Sequence, residues 1–573
     1  MPTPHAHVFC HIRHWLPALG LILALFMPAV AHADATTVTR IALNRPATPC
    51  ADHFVPYVLD HITTTADGMI RMFEANGSGL AAGDLDNDGD LDLVLGGYEG
   101  SDHIFWNETG EQGAGFAFRK AVLSDGYTRM VTLVDVDGDG WLDIVLTRST
   151  GGINYLRNMG AHEEGFQDES DRRNGPIRFR REVLPGVSRP ATVINWGDLD
   201  ADGDLDLVTG SYDAGLLTDL GNSYLLGGGG GIVYYTRTGQ TFVRTGLATT
   251  AQAMAILLHD LDGDGRSDIV VGNDFAEPDR IWLQREGGWE EATPFAATTH
   301  STMSLDLGDA DNDGRPELFA SDMKPYAADP ATQAAWAPLM AAMADEHHPE
   351  GDRQIMENTF QVWTGPAAYA NLAASWGVDG TGWSWSAKFG DLDRDGYLDL
   401  YVVNGMIEER MFAHLPNHEL VEANQAFRNN GQGRFVRAPE WGLGSTYSGR
   451  GMVMADFDLD GDLDIAVNNL RAPAQLFENR LCGGRSLQVD LRWPAAQNTH
   501  AIGARLALRT SRGVLYRDVR AASGYLSGDP ARVHFGVHTG AELGRLDILW
   551  PDGARSTVTD LTPDQLIIIE REE

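Results

Sequence analysis

The sequence predicts an all-β protein, because one acidic motif recurs seven times and a short apolar run follows each copy. The motif has the form D-x-D-x-D-G-x-x-[DE], and its copies are separated by 62 residues on average. Periods of this size are typical of solenoids and propellers. Each repeat contains four short runs with the composition of strands, so the pattern predicts a seven-bladed β-propeller.

The motif has the composition of a calcium loop, since Ca²⁺ takes about six to eight oxygen ligands and positions 1, 3, 5 and 9 are carboxylates. Position 6 is always glycine, which permits the positive φ of a sharp turn. Position 7 varies freely, as expected for a ligand that acts through its backbone carbonyl. The predicted ligands of about seven structural Ca²⁺ ions are Asp84, Asp86, Asp88, Asp90, Asp92, Asp135, Asp137, Asp139, Trp141, Asp143, Asp198, Asp200, Asp202, Asp204, Asp206, Asp260, Asp262, Asp264, Arg266, Asp268, Asp309, Asp311, Asp313, Arg315, Glu317, Asp391, Asp393, Asp395, Tyr397, Asp399, Asp456, Asp458, Asp460, Asp462 and Asp464.

An EF-hand begins in the same way, but it closes with Glu at position 12 and is flanked by helices. Position 12 here is Leu95, Leu146, Thr209, Val271, Ala320, Val402 or Val467, each at the end of a short apolar run. Such runs are typical of buried strands, so each loop is predicted to join two strands. The alternative, that the loops are only solvated turns, leaves clusters of carboxylates to repel one another.

The remaining strands of each repeat are predicted from apolar and aromatic runs. Strands lead into the loops at 130–134, 255–258 and 452–455, aromatic strands lie at 104–107, 280–283 and 475–478, and outer strands lie at 242–244 and 434–436. Two insertions, 324–357 and 406–426, are candidates for binding or for lids on their own repeats. The first is predicted to contain a helix that Pro338 breaks. Its acidic and histidine-rich end, 345–352, is either a transition-metal site or a solvated loop.

Residues 1–33 have the pattern of a secretory signal, with an apolar run at 15–30 and a small-x-small site that ends at Ala33. Cleavage near Ala33 predicts a secreted or periplasmic protein. No stretch of the mature chain is apolar over the length of a membrane span. The net charge of −38 argues against nucleic acid as a partner. The expected partner is an extracytoplasmic protein or glycan.

The acidic loops predict a propeller over 34–481 and a second, small β domain over 482–573. The seventh repeat ends before it forms a fourth strand, whereas 54–62 has the position of an outer strand without a repeat of its own. If this N-terminal strand completes the seventh blade, Cys50 lies beside Cys482. In an oxidising compartment these two cysteines are therefore predicted to form a disulfide that closes the ring.

These motifs match known protein families. The seven loops resemble FG-GAP/VCBS repeats, the calcium-loop propeller repeats that also occur in integrin α subunits. Residues 498–571 resemble the ASPIC/UnbV domain, on Asn498 and the segments at 501–505, 524–527, 534–536 and 549–553. A propeller followed by this domain is similar to the cartilage acidic protein family, here in a bacterial exported form. The resemblance implies the fold, calcium binding and an extracytoplasmic setting, but no molecular role.

The sequence contains no G-x-S-x-G, H-E-x-x-H or P-loop motif, so no catalytic residues are predicted. The favoured hypothesis is a binding or adhesion module in which calcium is structural. The alternative is a carbohydrate-active enzyme, of the polysaccharide lyase or sugar dehydratase type, on a calcium-stabilised propeller. Such an enzyme would need His, Tyr, Lys or Arg side chains that converge on one face of the ring.

Overall fold

The structure is a computed structural model that describes residues 36–44, 49–71, 73–110, 115–148, 152–160, 179–214, 230–275, 277–344 and 351–572. The predicted signal peptide, 1–33, and most of the polar segment 345–352 lie outside the described residues. Nearly all regular structure in the described part of the chain is β, which confirms the predicted fold class.

Seven antiparallel sheets, named sheets 1 to 7 here, are each built around one acidic loop. In every sheet the loop joins the first strand to the second, and the second strand begins at position 9 of the motif. The strands are Leu80–Gly83, Asp92–Leu95, Asp102–Asn107 and Phe118–Ser124 in sheet 1; Thr128–Val134, Asp143–Arg148, Asn154–Asn158 and Phe179–Glu182 in sheet 2; Val193–Gly197, Asp206–Gly210, Ile232–Thr238 and Thr241–Ala248 in sheet 3; Ala253–His259, Asp268–Asn273, Arg280–Arg285 and Gly288–Ala292 in sheet 4; Ser304–Gly308, Glu317–Ser321, Thr359–Gly365 and Ala368–Asn371 in sheet 5; Gly382–Gly390, Asp399–Asn404, Gln425–Asn429 and Phe435–Arg437, with Met323–Lys324 at the edge, in sheet 6; and Ser448–Ala455, Asp464–Leu470, Pro473–Glu478 and Val55–Ile62 in sheet 7.

Sheet 7 takes its outer strand from the N-terminal part of the chain. Val55–Ile62 pairs antiparallel with Pro473–Glu478, and Val55 lies opposite Glu478. This register brings the chain before Val55 next to the chain after Glu478. Cys50 and Cys482 form a disulfide there, with a Cα–Cα distance of 5.1 Å, which confirms the predicted pairing.

The first strands of the sheets form the inner wall of the molecule. Each packs against the first strand of the next sheet, and the first strand of sheet 7 packs against that of sheet 1. Apolar and small residues fill these strands, and every residue of Leu80–Gly83, Val193–Gly197 and Gly382–Gly390 is buried. The cyclic contact of sheets around a buried centre is the architecture of a β-propeller.

The C-terminal part of the chain forms two further sheets, and its strand content agrees with the predicted small β domain. One consists of Thr36–Ala42, Gln565–Arg571, Arg485–Arg492 and Val533–Val537, and the other of Gly513–Asp518, Arg505–Thr510, Leu543–Leu549 and Arg555–Val558. Their apolar faces enclose a core of their own. Residues 36–42 were expected to belong to the propeller, but they pair with Gln565–Arg571 instead.

A hairpin of the C-terminal domain lies inside the ring of first strands. It consists of Ala522–Ser523 and Ser527–Gly528, and it joins the edge of sheet 1 through Gly528 and Ala81. The Gly524 amide donates to the carbonyl oxygen of Leu305 in sheet 5 at 2.8 Å. Tyr525 at its tip is fully buried and meets the Trp385 ring of sheet 6 edge to face. The hairpin therefore fills the centre of the propeller.

Short elements occupy the two insertions. Thr298–Thr299 pairs in parallel with Gln354–Ile355, and Met406–Ile407 pairs with Glu419–Leu420. One helix runs continuously over Pro330–Ala344, so the predicted break at Pro338 is wrong. Packing stabilises the helix across the proline, because the buried Trp336 indole contacts Trp383 and donates to Glu422 Oε1 at 3.0 Å. A short helix covers Ala373–Trp376, and 3₁₀ turns cover Pro416–His418 and Pro439–Trp441.

Candidate metal centres

All seven acidic loops fold into one hydrogen-bonded form. The position 1 carboxylate accepts bonds from the backbone amides of positions 5 and 6; in the first loop Asp88 N and Gly89 N both lie 3.1 Å from Asp84 oxygens. The same pair of bonds recurs in the other six loops. The position 1 carboxylate thus fixes the turn.

Glycine at position 6 is required by the backbone. Its φ lies between 87° and 101° in all seven loops, a left-handed conformation that other residues rarely adopt. The position 5 carboxylate then accepts the backbone amide of position 7 in every loop. These bonds hold the carboxylates of positions 1 and 5 on one side of the turn.

Position 9 links the loop to the sheet. One of its oxygens accepts the amide of position 2 in all seven loops, as in the bond from Leu85 N to Asp92 Oδ2 at 3.1 Å. In six loops the other oxygen accepts an amide from the third strand; in sheet 1 the donor is Asn107 N, at 2.8 Å. In Asp143 and Asp206 the oxygen that accepts the position 2 amide also accepts a tyrosine hydroxyl, but the other oxygen keeps a lone pair, so position 9 remains able to bind a cation.

The carboxylates converge closely enough to share one ion. In five loops three carboxylate oxygens lie within 4.8 Å of one another: Asp84, Asp86 and Asp88; Asp135, Asp137 and Asp143; Asp198, Asp200 and Asp202; Asp260, Asp262 and Asp268; and Asp309, Asp311 and Glu317. At position 3, buried oxygens of Asp86, Asp137 and Asp393 have no hydrogen-bond donor. A buried anionic oxygen without a donor is costly, and a hard divalent cation would satisfy it.

In the absence of an ion, burial and mutual repulsion raise the pKa values of these carboxylates. Burial, followed by the charge of Asp88, raises the pKa of Asp86 to about 7. Burial raises the pKa of Asp143 to about 8, and that of Glu317 to about 9. Carboxylates with pKa values in this range hold protons that a bound cation would displace.

In three of the loops, an arginine from the third strand supplies part of the missing positive charge. Arg157 contacts Asp137 and Asp139, and Arg428 Nε lies 2.7 Å from Asp393 Oδ2. Arg285 has the same role in the loop of sheet 4, toward positions 3 and 5. These third-strand arginines contact positions 3 and 5 and form no ion pair with positions 1 and 9 of the same loops.

Position 7 differs among the loops. Arg266 and Arg315 cannot ligate a cation through their side chains, which fits a ligand that acts through its carbonyl. Asp90, Asp204 and Asp462, however, each place one buried oxygen without a donor beside the cluster. Burial and the charge of Asp88 raise the pKa of Asp90 to about 9. The predicted carbonyl ligand therefore stays a prediction, and these three aspartates add charge near the cation position.

The C-terminal domain covers several loops. Thr499 Oγ1 donates to the position 1 carboxylate of Asp135 at 2.5 Å. Gly536 lies so close to Asp391, position 1 of the sixth loop, that a Cβ atom there would be 2.0 Å from its Oδ2. Asp391 is consequently buried, with a relative exposure of 1%. Residues of the C-terminal domain, far along the chain from the loops, thus contact the predicted metal ligands.

A ring of hydrogen bonds between sheets was not predicted. In six sheets a side chain at or near the end of the third strand, and in sheet 5 one from the fourth strand, reaches the position 2 carbonyl of the preceding sheet. These side chains are Asn107 toward Phe457, Asn158 toward Leu85, Arg237 toward Val136, Gln284 toward Leu199, Tyr369 toward Leu261, Asn429 toward Ala310 and Asn479 toward Leu392. Four of the seven are asparagine at the end of an aromatic run, which is the sequence signal that could have identified them.

The fold and the loops define a β-propeller with repeated acidic loops. Models of known families identify both parts of the chain. The FG-GAP-like repeat model matches residues 84–146, 135–209, 260–320 and 417–467, and the ASPIC and UnbV model matches residues 494–573. The sixth loop lies outside the matched ranges. The chain is therefore an FG-GAP repeat protein with a C-terminal ASPIC/UnbV domain, as the sequence motifs predicted.

Comparison with curated proteins gives no match. Among solved structures, two crystals of BBS1N in complex with ARL6DN, soaked with mercury and with lead, align at 10% and 11% identity. Each alignment covers 76% of this chain and 98% of that chain, with TM-scores of 0.36 and 0.38. No helix in the described ranges combines the length and apolarity needed to cross a membrane.

Proposed function

We propose that this chain is an exported, calcium-stabilised propeller of seven blades that acts as a binding or adhesion module for a protein or glycan. The observation that carries the proposal is the sevenfold repetition of one hydrogen-bonded loop geometry, with converging carboxylates in at least five loops and buried carboxylate oxygens without donors in five. Each loop would hold one Ca²⁺ through positions 1, 3, 5 and 9 and the carbonyl oxygen of position 7. The ions supply the charge that the buried carboxylates require.

Seven blades are supported by two independent cycles, the packing of the first strands and the hydrogen bonds between sheets. Export is supported by the Cys50–Cys482 disulfide, because disulfides persist mainly in oxidising compartments. The N-terminal secretory pattern points to the same compartment. Calcium at extracytoplasmic concentrations would then keep the loops occupied.

Affinity capture tests the binding function. The mature chain is immobilised with calcium or with a chelator and exposed to periplasmic proteins and to an array of glycans. Retention of a defined partner that chelation abolishes supports a calcium-dependent binding module. A calcium-loaded, folded chain that retains no protein and no glycan contradicts it.

A second candidate function, a carbohydrate-active enzyme, is favoured by one group of side chains. His259 Nδ1 lies 3.5 Å from Asp518 Oδ2, and both residues line a cleft together with Tyr516 and Lys388. Histidine, tyrosine and lysine are the bases and acids that such chemistry uses. Turnover of an acidic polysaccharide by the wild type, lost in His259→Gln with unchanged calcium content, would favour the enzyme over the binding module.

A further inference from the structure

A cleft of about 620 Å³ separates the loops of sheets 4 to 6 from the C-terminal domain. Exposed Gly263 and Arg315 lie at its outer end, whereas Lys388 and Val533 lie buried at its inner end. This volume falls within the range of small-molecule sites, about 300–1,000 Å³, and such sites occur preferentially between domains. The cleft can therefore admit a ligand from the side of loops 4 and 5.

The cleft is rich in charged side chains, and four of its seven acidic residues belong to the calcium loops. Six cationic side chains line it: Arg315, Lys388, Arg505, Arg517, Arg520 and Arg532. Outside the calcium loops, only three acidic side chains line it, namely Asp306, Asp518 and Asp529. The lining that is not committed to metal binding thus has more positive than negative groups.

Three of the six cations are neutralised within the protein. Lys388 pairs with Asp529, and Arg520 Nη1 lies 2.7 Å from Asp306 Oδ1. Arg532 Nη2 lies 3.0 Å from an oxygen of Asp490, outside the cleft. These pairs hold the hairpin and the C-terminal sheets against the propeller, and they leave no net charge for a ligand.

The other three, Arg315, Arg505 and Arg517, form no ion pair with a described carboxylate outside the calcium loops. Arg315 stacks on the Trp363 ring at 3.4 Å, and it has no carboxylate within ion-pair distance among the described residues. Arg505 Nη1 reaches only Asp260 Oδ2, at 3.4 Å, and Asp260 is position 1 of a calcium loop. A calcium ion in that loop would compete with Arg505 for the same carboxylate.

Arg517 is the strongest indication of a ligand. Its Nη1 donates to the Tyr516 carbonyl oxygen at 2.8 Å, but its Nη2 is buried and has no acceptor. No carboxylate of the described residues lies within ion-pair distance of it, although the charges of Asp391 and Asp309, position 1 of two calcium loops, act on it; burial lowers its pKa. A buried N–H edge of a guanidinium without an acceptor is costly unless an anion binds there.

Aromatic side chains lie beside these arginines. Trp363 and Tyr516 line the cleft and are each only half-buried, so part of each ring remains accessible. Arginine binds a carboxylate through two parallel N–H donors, and an aromatic ring packs against the apolar face of a saccharide. A ligand that satisfies both features carries a carboxylate on a ring with an apolar face.

We propose that this cleft binds a uronic acid residue of an acidic glycan, with Arg517 holding the sugar carboxylate. The inference rests on the proposed binding function and assigns it a site and a ligand class. Calcium in the loops of sheets 4 to 6 strengthens binding, because it adds positive charge and releases Arg505 from Asp260. Neutral saccharides lack the group that Arg517 requires.

Calorimetry on the calcium-loaded mature chain tests this site, with digalacturonate, the neutral disaccharide of the same linkage and acetate as probes. Digalacturonate is expected to bind, and the other two to bind at least tenfold more weakly. Arg517→Gln is expected to reduce affinity for digalacturonate at least tenfold, and Arg517→Lys to restore only part of it, because lysine lacks the bidentate edge. Arg509→Gln is the matched control, since Arg509 is exposed on the same domain and pairs with Asp547.

The outcomes separate this inference from the proposed function. Equal binding of acetate and digalacturonate, or unchanged affinity in Arg517→Gln, would overturn the uronate site. Each sample is also assayed for bound calcium and melting temperature. If Arg517→Gln fails to fold, Arg517→Lys replaces it as the test variant. A chain that binds calcium but not digalacturonate overturns only this inference, whereas a chain without calcium overturns the proposed function.

Discussion

The side-chain amide of Asn107 donates a hydrogen bond of 2.7 Å to the carbonyl oxygen of Phe457 and so joins sheet 1 to sheet 7. The same amide also donates to the Leu91 carbonyl oxygen at 3.1 Å. Asn107 is buried, with a relative exposure of 5%, so water cannot replace these bonds readily. The junction between the two ends of the ring thus depends in part on Asn107, together with the disulfide.

Asn107→Ala is expected to lower the free energy of unfolding by about 2–4 kcal/mol, because it leaves two buried carbonyl oxygens without donors. Asn158→Ala, the equivalent change between sheets 1 and 2, should have a similar effect. Urea denaturation at saturating calcium measures both. Asn430→Ala, at an exposed asparagine, is the control, with an expected change within about 0.5 kcal/mol. Equal stability of all three variants would contradict the role of these bonds.

Reduction of the Cys50–Cys482 disulfide is expected to destabilise the ring. The bond closes a separation of 432 residues, for which the chain-entropy model gives an upper limit of about 6 kcal/mol. The measurement is the denaturation midpoint of the wild type with and without reductant, compared with the double variant Cys50→Ser and Cys482→Ser. The reduced wild type and the double variant should agree. A midpoint that reductant does not change would show that the disulfide adds nothing to ring closure.

Two isosteric changes in the first loop distinguish positions 3 and 7. Asp86→Asn removes a carboxylate whose buried oxygen has no donor, and it should lose the calcium ion of that loop. Asp90→Asn keeps the backbone carbonyl and lowers the repulsion among the carboxylates, so it should retain the ion. Calcium content by mass spectrometry gives the answer. Equal losses in the two variants would mean that the Asp90 side chain is itself a ligand.

The stabilisation by calcium is expected to depend on pH. Burial raises the pKa of Asp268 to about 7 and that of Asp391 to about 8, far above the unfolded values near 4. Without calcium, the folded chain therefore binds more protons than the unfolded chain between about pH 4 and pH 8, and its stability falls as the pH rises. Bound calcium removes this loss, because it holds the carboxylates in their ionised form.

The increase in melting temperature that calcium produces, relative to a chelator, should consequently be larger at about pH 8 than at about pH 5. Thermal unfolding at both pH values, with and without calcium, measures this difference. An increase of the same size at both pH values would contradict the assignment of these buried carboxylates as calcium ligands.

The local features of this molecule could be predicted from its sequence, because they repeat. The loops, the strand after each loop and the all-β class follow from a nine-residue pattern with its own chemistry. The disulfide followed from counting strands, since the seventh repeat lacks an outer strand and Val55–Ile62 supplies it. Each of these inferences depends only on the residues within one repeat or on the position of a strand in the repeat pattern.

Long-range contacts could not be predicted in this way. The hairpin around Tyr525 enters the propeller through packing against strands of several sheets, and no local pattern specifies that partner. The pairing of Thr36–Ala42 with Gln565–Arg571 joins the two ends of the chain. The alternation of apolar and polar side chains along a strand does not specify which sheet edge that strand joins. The helix over Pro330–Ala344 survives Pro338 because of tertiary contacts at Trp336.

The number of calcium ions bound to the purified mature chain tests the central claim most directly. Native mass spectrometry is expected to show close to seven Ca²⁺ ions that a chelator removes, with a lower melting temperature after removal. The fifth loop, which has Glu317 at position 9 and Pro316 before it, is expected to lose its ion first. A folded chain that holds no more than one or two metal ions would contradict the account.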